Sequence, residues 1–250
     1  MIFDLQKASI WKRISAFLFD FIVFGIVAVG AAFLISLIVG YTSYLDELKS
    51  MAMPNGMTVE QALTEGTKMA EAELAELEAV FVEFIKTSER ATYLYSMIVN
   101  LTLLIVSLGI LASFLITEFT VPLLFKNGQT LGKKIFGICL MRVDGVKVTP
   151  VMMFVRTLLG KYTIETMIPL IILIMMLLGT IGIVGPIIIL LISILQLAMF
   201  ITSKNRSLIH DILSKTVAVD YASQMIFDTE EEMIAYKKKV HAEMAERSPY

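Results

Sequence analysis

Two residues near the start of the chain pose the chemical question. Arg13 and Asp20 are seven positions apart, so on a helix they share nearly one face, about 10 Å apart along the axis. Asp20 lies in an apolar run, residues 14–39, that is otherwise uncharged. A run of that length can cross a bilayer, where a lipid-facing Asp costs about 2.5–3.5 kcal/mol on insertion scales. An acid kept there should face the helix bundle, and it is a candidate proton or cation site. Further ionisable residues fall at a similar level. Glu118 and Glu165 flank later apolar runs, and Arg206, His210 and Asp211 follow the last one. Asp211 is placed to pair with Arg13 or Arg206 at an inner gate, with His210 in support. An ion-pair clamp between helices accounts for the same residues equally well. Burial raises a carboxyl pKa and a nearby arginine lowers it, so the sequence does not sign the shift at Asp20.

Catalytic sets are not apparent. Gly128-Gln129-Thr130-Leu131-Gly132-Lys133-Lys134 imitates a phosphate loop, but it is one residue short between the glycines. Lys134 stands where a magnesium-holding Ser or Thr is needed. His210 and His241 are too far apart for a metal pair, and Cys139, the single cysteine, reads as a small hydrophobe. The expectation is a protein that is not an enzyme and uses no metal or cofactor.

The elements that position these residues are membrane helices. The chain is 57% hydrophobic and 18% charged, with mean hydropathy +0.78, against about 45–50% apolar and about 25% charged in soluble domains. A net charge of −2 argues against a nucleic-acid partner. The first apolar run is too long for a signal peptide, whose core is about 7–15 residues. Residues 94–125 and 166–201 form the other apolar stretches. The latter, as one helix, would be about 54 Å long against a core of about 30 Å. The glycines at 179, 182 and 185 and Pro186 suggest a break and a new helix start; one long tilted helix is the alternative. Loop charge decides. Residues 41–91 carry ten acidic and four basic residues, whereas residues 126–161 carry seven basic and one acidic. The positive-inside rule then puts both termini in the cytoplasm, which needs an even number of spans. The expected fold is an all-α polytopic membrane protein with four transmembrane helices, at about 14–39, 94–118, 163–181 and 185–202. A long external helical hairpin and a small cytoplasmic β-hairpin complete it.

In the external segment, Thr58-Val59-Glu60-Gln61 is a capping-box pattern. The spacing of Leu74, Leu77, Phe81, Phe84 and Ile85 predicts one amphipathic helix over 58–87, with continuation into the second span as one rod left open. Its apolar stripe needs a partner: a second copy, another membrane protein, the membrane surface, or the loop's own residues 41–53. Leu131-Gly132-Lys133-Lys134-Ile135-Phe136 suits an interfacial helix. Residues 138–148 resemble a hairpin turning at Asp144-Gly145, to which residues 216–219 could add a strand. The tail, residues 221–250, contains a helix over 228–247 with acids first and lysines later, as the macrodipole favours. It is either solvated or docked to a partner or lipid headgroups.

Three blocks together resemble one family. Trp11-Lys12-Arg13-Ile14-Ser15-Ala16-Phe17-Leu18-Phe19-Asp20 is similar to the opening motif of the RDD family of bacterial membrane proteins. Asn127-Gly128-Gln129-Thr130-Leu131-Gly132-Lys133-Lys134-Ile135-Phe136-Gly137-Ile138 resembles its central signature, and Asp144-Gly145 and Arg156 also fit. Ser207-Leu208-Ile209-His210-Asp211-Ile212-Leu213-Ser214-Lys215 and the residues to Val219 resemble its closing motif. The family is named for one arginine and two aspartates, which map to Arg13, Asp20 and Asp211. The resemblance runs from about residue 8 to 220 and leaves out the 41–91 insertion and the tail. It implies a multi-pass protein of the bacterial inner membrane with a transport-related role, and Na⁺ or Li⁺ exchange for H⁺ has been proposed for members. Four spans show no internal repeat, so such a transporter would need a homo-oligomer or another membrane protein as partner. A non-transporting assembly, regulatory or scaffold protein is the alternative.

Overall fold

The computed structural model describes residues 5–203, 205 and 207–247. In chain order the elements are α1 (Ile10–Ile38), α2 (Tyr41–Ser50), α3 (Val59–Gly66), α4 (Glu71–Thr87) and α5 (Glu89–Leu124). Then follow α6 (Leu131–Ile135), β1 (Ile138–Arg142), α7 (Pro150–Leu177), α8 (Val184–Thr202), α9 (Ile209–Leu213), β2 (Thr216–Asp220) and α10 (Glu230–Arg247). Four of these, α1, α5, α7 and α8, are long and apolar enough to cross a membrane. They leave large apolar side chains exposed, as at Phe21, Ile26 and Leu190, the kind of surface that lipid contact needs. Residues 166–201 are not one helix. Gly179 and Gly182 take left-handed backbone (φ +67° and +48°) between α7 and α8, a conformation in which a side chain would be strained. The third span starts far earlier than residue 163. Thr149 caps the helix, its hydroxyl accepting from the Met152 N–H at 3.3 Å, and Pro150 opens the first turn.

The chain forms two compact units, one from residues 27–112 and one from the remainder. In the first, the predicted 58–87 helix is two helices. Thr58 and Gln61 form the capping box in both directions (3.2 and 2.9 Å). Helix α3 then stops at Gly66, and extended backbone at Ala70 starts α4. A Cβ on Gly66 would come 3.3 Å from Leu74, so the glycine lets α4 pack closely on α3. Nor does α4 continue into the span. Ser88 is extended, and its hydroxyl accepts from the Ala91 N–H to cap α5. The apolar stripe finds its partner within the unit. Phe84 is buried with Leu48, Met53, Val59, Ala62, Ala91 and Leu94, and Leu77, Phe81 and Ile85 pack on that cluster. Packing on residues 41–53 therefore accounts for the stripe.

The second unit holds a two-stranded antiparallel sheet, Ile138 opposite Asp220 through Arg142 opposite Thr216. Alternate side chains leave opposite faces of a strand, and both faces here are covered. Ile138, Leu140 and Ala218 meet Ala8, Ala16 and Met153; Cys139, Met141, Val217 and Val219 meet Leu5 and Ile226. Burial pushes the Cys139 thiol up to about 12, consistent with a hydrophobic filler. The expected 138–148 hairpin shrinks to a turn and one bridge. Gly145 (φ +99°) makes the turn and the Arg142 N–H donates to the Val146 carbonyl at 2.8 Å, but only Met141 and Lys147 pair beyond it. Thr149 and Pro150 must then open α7, so residues 216–220 supply β1's full strand partner. The tail helix is docked at its start: Met233 is buried with Val146 and Phe227, while Met244 stays exposed.

Candidate functional site

Asp20 lies two turns along α1 from Arg13. Its carboxylate is taken by the start of α6. Oδ1 accepts from the Gly132 N–H at 2.7 Å and Oδ2 accepts from the Thr130 hydroxyl at 2.5 Å. The Lys133 ammonium stands 4.0 Å from Oδ2 and 3.1 Å from the Thr130 oxygen. Thr130 also caps α6, its oxygen accepting from the Lys133 N–H at 3.3 Å. Gly132 is required by this docking, because a Cβ would strike the Ala16 carbonyl oxygen and come 2.9 Å from the Asp20 carboxyl carbon. Gly128 (φ +62°) sits against β1, where a Cβ would be 2.8 Å from Leu140. Gln129 Nε2 donates to the Ile138 carbonyl at 2.7 Å, and Leu140 N–H to the Asn127 carbonyl at 3.1 Å. The 127–133 loop is thus held on β1 and presents backbone and side-chain donors to Asp20.

Lys133 links Asp20 to a second acid. It lies 3.9 Å from Glu118 Oε2, which Lys161 approaches at 2.7 Å. The Thr157 hydroxyl donates to the Glu118 carbonyl at 2.9 Å, joining α7 to α5. Burial pulls the Lys133 ammonium down to about 8 against the opposing pull of Glu118 and Asp20.

Asp211, 1% exposed, anchors the other half. Oδ1 accepts from Arg156 Nη1, and the same nitrogen donates to Thr216 at 2.7 Å. Oδ2 lies 3.8 Å from Arg13 and accepts from the Leu208 N–H at 3.3 Å, capping α9. Arg13 also lies over the Phe200 ring, 5.3 Å from its centroid, which ties α1 to α8. Burial would raise the Asp211 pKa, but Arg156, then His210 and Arg13, hold it below the ordinary carboxylate range. His210 sits on Gly160, where a Cβ would be 2.5 Å from its own. Its Nδ1 is 2.8 Å from both Glu165 oxygens. Burial, helped by Arg156 and Lys161, lowers the His210 pKa, so the ring is neutral at pH 7. Arg156 Nε is buried without a partner among the described residues.

Backbone geometry makes this convergence possible. Residues 114–120 of α5 and 155–167 of α7 are π-helical, with i→i+5 hydrogen bonds and more than four residues per turn. Thr120 and Thr163 hydroxyls also donate to carbonyls five residues back, at 2.7 and 2.8 Å. On an α-helix, Arg156 and Glu165 are two and a half turns apart and point oppositely. On the wider helix they are about two turns apart and both reach the α9 segment.

Sequence reasoning named Arg13, Asp20, Asp211, His210, Arg156 and Glu118, and all of them line this layer. Arg206 lies outside the described residues. Lys133 and Thr130, known only as motif residues, turn out to be Asp20's partners. Lys161 was missed: a third span starting at 163 leaves it in a loop, whereas the real helix carries Arg156, Lys161 and Glu165 together. With His210 neutral, four acids (Asp20, Glu118, Glu165, Asp211) face four bases (Arg13, Lys133, Arg156, Lys161), and the formal charges cancel. No group of three or more His, Cys, Asp or Glu residues suited to hold a metal ion occurs among the described residues.

No curated protein and no solved structure matches the chain. The sequence profile of the RDD family matches residues 7–215, a stretch that begins before Arg13 and ends after Asp211, so it takes in every residue of the layer. This chain, a membrane protein with four bilayer-length apolar helices, belongs to the RDD family.

Proposed function

We propose that the protein exchanges a monovalent cation, Na⁺ or Li⁺, for protons at the charge-balanced layer around Asp20. The observation that carries this reading is the placement of eight charged residues on membrane helices and the loops docked to them, with both π-helical segments at that level. Buried ion networks are seldom better for stability than apolar packing, and π-helical segments are frequent at functional sites. Electroneutrality supplies the coupling. The ionised Asp20 carboxylate gains one positive charge whether a proton or a cation binds it; holding both would leave a second uncompensated charge in a desolvated cluster, which is costly, so one leaves as the other arrives. Asp20 is the carboxylate for which cation and proton compete, and Thr130, Gly132 and Lys133 hold it when neither traffics. Arg13 and Asp211 tie α1 to the segment after α8 at the inner gate. In this reading both termini are cytoplasmic, the basic loops face the cytoplasm of a bacterial cell, the membrane is the inner one, and a second copy or another membrane protein completes the path.

A second reading has its own observation. Both aspartates accept backbone N–H groups of short helices outside the spans, Asp20 at α6 and Asp211 at α9. In a non-transporting scaffold this would be their whole work. Reconstituted vesicles separate the two. An external Na⁺ pulse should alkalinise the lumen in proportion to protein, and Asp20→Asn should abolish the response. Folded protein giving no response in any cation supports the scaffold.

A further inference from the structure

We propose that the cleft beside Lys215, between the start of α7 and the end of α8, binds the phosphate headgroup of an anionic phospholipid. Two cavities, of about 300 and 240 Å³, meet there and share Val143 and Lys215 as walls. The larger reaches Val151, Met152 and Val155 in the first turns of α7; the smaller reaches Ser203 just beyond α8. Both therefore lie beside the ends of two bilayer-length helices. The rim is aliphatic and open, with Val151 71% and Ile212 50% exposed, a surface suited to acyl chains.

Of the other charges lining the two cavities, Arg142 is held by Asp144 and Glu230, and Asp211 by Arg156. No acid among the described residues pairs with the Lys215 side chain. Its backbone is unusual as well. Lys215 directly follows the end of α9 with φ +52°, left-handed geometry in which glycine is the ordinary occupant. A lysine here accepts backbone strain and brings a cation to an apolar cleft at the membrane edge. Headgroup phosphate on the ammonium, with its chains along Val151 and Ile212, satisfies both features. Juxtamembrane basic pockets between spans are the sites at which anionic lipids are recognised. A soluble anion would leave the aliphatic rim uncovered.

Lys215→Gly is a clean test, because glycine removes the charge and fits the backbone better. Wild type, Lys215→Gly and Lys215→Arg are purified in detergent and titrated with phosphatidylglycerol or phosphatidylcholine, and bound lipid is counted by native mass spectrometry. Wild type should retain phosphatidylglycerol in preference. The preference should weaken about fivefold in Lys215→Gly, the worth of one lysine near an anionic surface, and persist in Lys215→Arg. An unchanged preference in Lys215→Gly overturns the site. So does displacement of the lipid by equimolar glycerol phosphate, which would mark a soluble-anion pocket.

Discussion

Replacing Gly132 with alanine tests whether α6 is seated on Asp20. The added methyl would fall on the Ala16 carbonyl oxygen, which belongs to α1's backbone and cannot turn away, and 2.9 Å from the Asp20 carboxyl carbon. Either the core accepts the overpacking, at about 1–3 kcal/mol, or α6 lifts off. Lifting breaks the 2.7 Å bond from the Gly132 N–H to a carboxylate, worth about 1.5–3 kcal/mol. The chain takes the cheaper route, so the costs are alternatives and the expected loss is about 1–3 kcal/mol. In a chain of this size each kcal/mol moves Tm by about 2–4 °C, so detergent-solubilised Gly132→Ala should melt about 2–12 °C lower. Gly25→Ala is the matched control. It lies on α1, the helix that carries Asp20, with nothing within 4 Å of a Cβ built there, and alanine should gain up to about 1 kcal/mol of helix propensity. Equal melting of Gly132→Ala and wild type would refute the docking of α6 on Asp20.

Asp211→Leu leaves the Arg156 guanidinium buried without its counter-charge, at about 3–5 kcal/mol, whereas the double variant Arg156→Met/Asp211→Leu should recover much of the loss; detergent melting of wild type, the two single variants and the double variant forms the cycle. The Lys133 ammonium should titrate near 8 by NMR of reductively methylated protein, and Glu118→Gln, which removes an attraction, should push it lower. Its folded pKa is below the unfolded value of 10.5, so the native state binds fewer protons between the two, and Lys133's contribution makes stability rise with pH from about 8 to about 10.5. A contribution of the opposite sign, measured as the difference between wild type and Lys133→Met, would count against that burial. Phe84→Ala removes the largest ring of the residue 27–112 core, at about 3–5 kcal/mol, and should speed proteolysis within residues 41–88.

Spans and loops were legible because their signals are local. Long apolar runs, the glycine break at 179–182 and the capping box at Thr58 each need only neighbouring residues. Long-range choices were not. Nothing in residues 138–148 says that β1 will prefer Thr216–Asp220 over its own hairpin, since that depends on Pro150 committing the chain to α7. The site divides the same way. Arg13, Asp20 and Asp211 were visible as charges where charge is expensive, and the Arg13–Asp211 pair was legible, but Asp20's partners in the 130–133 segment and the Arg156–Asp211 pair were not. An α-helical wheel puts Arg156 and Glu165 on opposite faces, and only the π-helical segment reunites them, so Lys161 and the shared layer stayed hidden. Asp20's bond to the Gly132 N–H was equally invisible, because a backbone donor leaves no mark on side-chain chemistry.

The most direct test of the exchange reading measures ²²Na⁺ uptake and lumenal pH in the same proteoliposomes. Wild type should take up Na⁺ while protons leave one for one, with both signals lost in Asp20→Asn that is still folded by melting and retained in Lys215→Gly. Na⁺ and proton signals indistinguishable between wild type and Asp20→Asn, or absent from folded wild type, would contradict it.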